Sequence, residues 1–350
     1  MNSFIKKHWK KIGIVLCILI FLVRFIPLPY YFIEGPGGAI SLRSAVKVDG
    51  KKDKQKGDFY LTAVSMWHPT LPDLIKAKFF SEFEELVTQE EVMGSYDTTE
   101  YWQVQNYLLE SSRNVAIYQA SKLAGLTSKL TFEGVNVMSV DKRSKFYGKL
   151  EVGDIVTSID GLTFRNTKEM IAYVQSKKAG QIVTVYFEHK KKKRQVKEKL
   201  VYLKENKSSG IGISLVDNTK VKTNVPIKID LDKVGGPSGG MMFTLEIYQL
   251  LSGKNLRHGK KIAGTGTMEE TGAVGRIGGI DKKVVSASQQ GIEIFLAPND
   301  EITQKMRKDD PKLASNYEEA KRTAEKINTK MKIVPVKTIQ EAVTYLENLK

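Results

Sequence analysis

The sequence predicts an α+β chain in three parts: an N-terminal transmembrane helix, a small β-rich domain and a mixed α/β domain at the carboxyl-terminal end. Three observations predict it. An uncharged apolar run, IGIVLCILIFLV, fills residues 12–23. Short alternating segments separated by turn residues fill 130–203. From about 210 onward, strands, two glycine-rich turns and helical patterns alternate. With 350 residues, 41% hydrophobic and 27% charged, the chain can bury more than one core and does not have the composition of a disordered segment.

The N-terminal part reads as a signal-anchor over residues 12–33. Apart from Arg24, the apolar character continues through FIPLPYYFI to Ile33, about the roughly 20 residues that a bilayer needs. Arg24 lies where it can snorkel, Tyr30, Tyr31 and Phe32 supply an aromatic belt, and Lys6, Lys7, Lys10 and Lys11 precede the run. The positive-inside rule keeps residues 1–11 in the cytoplasm and exports the remainder of the chain, giving a single-pass protein of the cell membrane with its bulk outside. The competing reading is a cleaved signal peptide; no small-x-small site follows the apolar core, where Arg24 and two prolines stand.

Charge and cysteine use narrow the classes. The net charge of +16 permits nucleic-acid binding, but the lysines are scattered and no finger or aromatic-interleaved basic motif accompanies them, so no nucleic-acid partner is expected. The single cysteine, Cys17, sits in the apolar run, which excludes an intrachain disulfide and a cysteine-based zinc site. The four histidines are far apart and none lies in an HExxH pattern, so no metal is expected.

Residues 34–129 are expected to form an exported segment of strands and amphipathic helices. EGPGGAISL reads as a turn and DFYLTAVSM as a strand. LPDLIKAKFFSEFEELV and TTEYWQVQNYLLESSRNVAIYQASKLAG repeat apolar positions three and four apart. Residues 130–205 read as the β-rich domain. A helix is expected near NTKEMIAYVQSKKAG, and VYFEHK meets KKKRQVKEKLVYL in a hairpin with a basic tip. Here Gly134–Val140 and the segment LEVGDIVTSIDG over 150–161 resemble the PDZ domains of bacterial envelope proteases. Such a domain adds an extended peptide to a sheet edge, and Val135, Val137 and Val140 mark the strand nominated for that role. The plainer alternative is a β-rich spacer without a ligand.

Residues 206–350 carry the chemistry. Strands lead into Gly236-Pro-Ser238-Gly-Gly240 and then a helix. Small residues at a strand-to-helix turn let backbone approach a substrate and leave helix N-terminal amides to hold a negative oxygen. The pattern satisfies GxSxG, but the order of an α/β-hydrolase triad fails, because His258 is the only later histidine and no aspartate lies between. A serine without a histidine needs another base, and a desolvated lysine is the alternative. The bland reading makes Ser238 a helix cap and Lys283 a surface lysine.

A second glycine-rich stretch, Gly278-Gly-Ile-Asp-Lys-Lys283, follows Ser238 at a separation of 45 residues. The two motifs and the tail over IEIFLAPND and MKIVPVKTIQEAVTYLENL resemble the proteolytic domain of the Lon family. The resemblance implies Ser238 as nucleophile and Lys283, not Lys282, as base. Thr265 would orient the lysine, and amides at Ser238 and Gly239 would face the oxyanion. The chain departs from the ATP-dependent members at Gly235, where an aspartate often stands. It also lacks a Walker A loop: Gly253–Lys260 has one residue too many and no Ser or Thr after its lysine.

The order anchor, PDZ, Lon-type domain resembles membrane-anchored, PDZ-containing Lon-like serine proteases of Gram-positive cell surfaces. It implies an ATP-independent endopeptidase without cofactors that cleaves exported peptides or flexible protein segments and processes secreted signalling peptides, and it suggests a homo-oligomer. The rivals are a PDZ adaptor on a non-catalytic Lon-like scaffold and a housekeeping protease of misfolded envelope proteins.

Overall fold

A computed structural model describes residues 8–11, 14, 15, 21, 25–51, 53–94, 96–204, 207–231 and 234–349. Its principal elements in chain order are β1 (Tyr31–Ser41), β2 (Asp58–Trp67), α1 (Leu71–Phe79), β3 (Glu85–Thr88), α2 (Thr98–Leu123), β4 (Ser128–Val140), β5 (Ile155–Ile159), α3 (Thr167–Gln175), β6 (Ile182–His189), β7 (Lys192–Lys199), β8 (Ile213–Thr223), α4 (Gly240–Ser252), β9 (Lys261–Gly264), α5 (Ile280–Gln289), β10 (Ile294–Pro298), α6 (Asn316–Lys326), β11 (Lys332–Val336) and α7 (Ile339–Glu347).

Six of these strands form one mixed sheet in the order β11-β10-β9-β2-β1-β3. The first four run parallel, and β1 is antiparallel to both β2 and β3. Successive side chains alternate between the two faces, as the period of a strand requires. Phe59, Leu61, Ile262, Ile294 and Leu296 join one core with Ala116 of α2, Met241 and Leu245 of α4 and Ile339 of α7. Ala263, Phe295 and Ala297 join the other, with Ile280 and Val284 of α5 and Ala320 of α6. Helices therefore cover both faces, and the central strands read as continuous apolar runs for that reason.

The smaller sheet has the order β8-β4-β5-β6-β7, antiparallel throughout. Val135, Val137, Phe146, Val156, Ile159, Val183 and Val185 form its core, which α3 covers with Met170 and Val174. The basic hairpin lies at β6–β7 as expected, with Lys190 and Lys191 both at positive φ in its turn.

Several expectations are corrected. Residues 12, 13, 16–20 and 22–24 of the expected anchor lie outside the described residues. Among those described, no helix is long and apolar enough to cross a membrane. The anchor's expected end belongs to the folded domain: β1 begins at Tyr31, and Phe32 and Ile33 are buried in the large sheet. Apolar side chains at a strand's start look the same in sequence as the end of a membrane helix. EGPGGAISL is not a turn but most of β1, whose register against β2 shifts between Pro36 and Ala39.

Residues 34–129 do not stand apart either. They supply β1, β2 and β3 to the same sheet as β9, β10 and β11, and α2 to its core. The small domain extends past 205, because β8 pairs with β4 along its whole length from Ile213↔Val140 to Thr223↔Ser128. After it, Ile227–Ile229 pairs back onto Val46–Val48. The smaller domain is thus inserted between α2 and the rest of the larger one.

Candidate active site

Ser238 lies in the turn just before α4, half-exposed, and α2 holds that turn from outside. The capping box of Asp97 and Glu100 starts α2 ahead of this contact. The Gln105 carbonyl accepts from the Gly236 amide at 3.0 Å, and the Ser112 hydroxyl donates to the Pro237 carbonyl at 3.0 Å. At Gly235 a Cβ would lie 2.7 Å from the Gln105 Cβ, so α2 fills the space that a side chain at this position would need. Trp102, one turn earlier on α2, is exposed beside Gly235.

The end of β9 holds the turn from the other side. The Ser238 carbonyl accepts from the Gly266 amide at 2.8 Å and from the Thr265 hydroxyl at 3.1 Å, and the Met241 amide donates to the Gly266 carbonyl at 3.1 Å. Ser238 and Gly239 stand ahead of the first turn of α4, where helix amides lack intrahelical partners.

Lys283 comes from α5 on the opposite face of the sheet. Gly279 precedes α5 at φ +62, where a Cβ would sit 2.8 Å from the Val64 side chain; glycine is required there on both counts. One turn into the helix, the Lys283 Nζ is 2.9 Å from the Ser238 Oγ and 3.1 Å from the Thr265 Oγ1. Lys283 is 3% exposed and Thr265 fully buried. Burial pulls the Lys283 pKa down to about 8, against a smaller opposing pull from the Glu34 carboxylate.

Lys282 has the opposite environment. Burial lowers its pKa too, but Asp281, Glu34 and Glu85 outweigh burial and leave it above the usual lysine value. Its Nζ lies 3.3 Å from Glu85 and 3.5 Å from Glu34. Adjacent lysines on one helix are thus separated by their partners: carboxylates hold Lys282 charged, while hydroxyls receive Lys283.

The structure therefore brings Ser238, Lys283 and Thr265 together, with Gly239 beside them. Val135, Val137 and Val140 are elsewhere, in the smaller domain. Val135 and Val137 are buried, and β4 is interior: the Val137 amide donates to the Asp154 carbonyl, its carbonyl accepts from Gly153, and β8 pairs on the other side. Both edges of β4 are paired over Val135–Val137, which leaves no place there for an added peptide strand; the outer strands of this sheet are β8 and β7. Sequence reasoning missed Gln105, Ser112 and Glu34, which lie far from Ser238 in sequence and outside any motif.

A serine and a dry lysine at the carboxyl ends of parallel strands, on a sheet carrying an inserted small β domain, define a Lon-type hydrolase architecture with a PDZ insertion. Known proteins agree with that class. Residues 109–200 match the PDZ domain family, and residues 177–347 match the Lon protease (S16) C-terminal proteolytic domain. The chain thus combines a PDZ domain with a Lon-type proteolytic domain, consistent with the PDZ-containing Lon-like proteases.

Lon protease of Citrifermentans bemidjiense is 36% identical over 108 residues, 30% of this chain and 13% of that protein. Lon protease of Anaeromyxobacter dehalogenans is 27% identical over 198 residues, 53% of this chain and 22% of that protein. The chain thus spans less than a quarter of the length of these relatives. The PDZ domain of an SdrC-like protein from Listeria monocytogenes is 40% identical, covering 25% of this chain and 93% of that one, with a TM-score of 0.24. The corresponding domain from Listeria innocua is 36% identical, covering 23% and 92%, with a TM-score of 0.23.

Proposed function

We propose that this chain is an ATP-independent serine endopeptidase at the outer face of the cell membrane, cutting exported peptides or flexible segments with Ser238 as nucleophile and Lys283 as base. The 2.9 Å approach of the Lys283 Nζ to the Ser238 Oγ supports it most directly. Burial favours the neutral amine, which accepts the serine proton as the Oγ attacks a peptide carbonyl. The Oγ–carbon bond forms and the carbon–nitrogen bond breaks, while the lysine passes its proton to the leaving amine. Water, deprotonated by the same lysine, then releases the acyl group and restores the serine.

The amides at Ser238 and Gly239 are the candidate oxyanion donors; losing one such donor costs about 2.7–4 kcal/mol of transition-state stabilisation. Thr265 positions the lysine, and Trp102 offers the substrate an apolar wall. In the PDZ domain the outer strand β8, between Ile213 and Val216, replaces Val135–Val140 as the edge for an added peptide strand. An adaptor with a dead scaffold has no need of a lysine kept dry beside a serine.

Peptide cleavage by the full chain in detergent, without ATP or added metal, tests the reading. Wild type should cut flexible peptides equally with and without ATP, and Ser238→Ala and Lys283→Ala should abolish cleavage while circular dichroism stays unchanged. Full activity in either variant would remove the dyad.

A further inference from the structure

Helix α1 presents an apolar stripe that the fold does not cover. Of its nine residues it buries Ala77, while Leu71, Ile75 and Phe79 recur every fourth position on the outward side. Phe79 is 69% exposed and the following Phe80 is 81% exposed. Soluble surfaces seldom leave a contiguous apolar strip of this kind open, and such strips mark contact with a membrane or a partner.

The place where the chain enters the fold indicates what covers the stripe. The Leu28 amide donates to the Pro69 carbonyl at 2.8 Å, immediately before the helix cap Thr70, and His68 Nδ1 lies 3.0 Å from the Tyr31 carbonyl. Phe25, Ile26, Tyr30 and Tyr31 are exposed at this same end. The uncharged run of residues 12–23 stops five residues before Leu28. Five residues reach at most about 18 Å when fully extended. If residues 12–23 enter a bilayer, the start of α1 is tethered within about 18 Å of the end of that run, close enough to reach the bilayer surface. Tyrosines and phenylalanines with lysines beside them, here Lys76 and Lys78, suit that boundary.

We propose that α1 lies on the bilayer surface, with Leu71, Ile75, Phe79 and Phe80 set into the headgroup–acyl boundary. The proposal rests on reading residues 12–23 as a membrane segment. It places the catalytic lysine near the lipid, because the chain continues from Phe80 to Glu85, the partner of Lys282 next to Lys283. Substrates held close to the membrane surface are then the ones presented to Ser238.

The test uses the full chain with Cys17→Ser and a single new cysteine, Phe79→Cys or Ile75→Cys, carrying a polarity-sensitive fluorophore. Gln195→Cys on the exposed PDZ hairpin is the control. Each is reconstituted into phosphatidylglycerol–phosphatidylethanolamine vesicles with and without lipids brominated on the upper acyl chain. Labels at 75 and 79 should shift to the blue and lose emission to brominated lipid, and the label at 195 should do neither.

Labels at 75 and 79 that behave like the one at 195 would overturn the proposal. So would a blue shift without lipid quenching; disulfide cross-links between copies of the same variant left unlabelled would then make a second copy the occupant. A carbonate wash reports the membrane segment separately. A chain washed free whose label was quenched keeps the docking and loses the segment; a chain washed free with an unquenched label loses both.

Discussion

Lys283 is sealed from water beside two hydroxyls, and under the proposed mechanism that arrangement acts on catalysis and stability in opposite directions. Its pKa of about 8 means that the reactive neutral form grows as pH rises through 8, so cleavage should climb through that range and level off above it. In the unfolded chain the same lysine holds its proton to about 10.5, so the unfolded state binds more protons between those values. Stability from this group is therefore lowest below pH 8 and recovers toward 10.5. At about 1.4 kcal/mol per pH unit, the deficit at neutral pH is about 3 kcal/mol. Lys283→Met should remove most of it: denaturant unfolding at pH 7 should show a gain of about 2–3 kcal/mol that shrinks by pH 10, with cleavage lost.

Glu246 gives the converse case among buried charges. Arg257 is fully buried, 2.5 Å from Asp53 and 3.3 Å from Glu246, and ties the loop ahead of β9, in which it lies, to the loop after β1 and to helix α4. Burial raises the Glu246 carboxyl to about 7, with Arg257 pulling it down and Asp53 and Asp58 pushing it up. The folded state then holds the proton that the unfolded state releases near 4.5, so this contribution is present below pH 4.5 and lost as pH rises through 7. Glu246→Gln should flatten that decline, read as the difference in thermal midpoint between about pH 5 and 7.5.

At the scale of elements, α2 decides the shape of the serine turn. It meets Gly235, Gly236, Pro237 and, through Ser112, the approach to Gly240. Because Gln105 leaves no room for a Cβ at Gly235, Gly235→Asp should displace the helix or the turn, as overpacked sites do at a cost of about 1–3 kcal/mol. A lowered thermal midpoint together with weakened cleavage would show it; an unchanged midpoint would mean that the turn relaxes freely. The same helix faces the inserted domain, where the Asn114 amide donates to the Thr219 carbonyl of β8 at 2.8 Å. Motif matching could place Ser238 and Lys283, but the buttress has no motif, since its residues are ordinary members of an amphipathic helix selected by the surfaces they touch.

For the whole molecule, the consequence is that the proteolytic domain is discontinuous. Its sheet takes β1, β2 and β3 from before the PDZ domain and β9, β10 and β11 from after it. The insertion leaves and returns at one place, because Ser128 and Thr223 are paired neighbours. A fragment covering 206–350 should therefore fail to fold, lacking half the strands of its sheet and α2. A chain in which a short turn replaces 128–223 should keep cooperative unfolding by circular dichroism. Folding of the 206–350 fragment alone would contradict the sheet order.

The sequence by itself determined the local chemistry: two glycine-rich turns 45 residues apart, the strand and helix periods of the carboxyl-terminal half, the basic hairpin and the PDZ texture. Those signals are short-range, carried by turn residues and by repeats of two or 3.6. Only the tertiary structure decided that EGPGGAISL is a strand, that β4 is interior and β8 an edge, and that residues 31–123 belong to the same domain as Ser238. Strand neighbours and helix buttresses are set by which surfaces exclude water together. Gln105 and Gly236 meet only because the PDZ domain between them closes on itself and returns the chain to where it left.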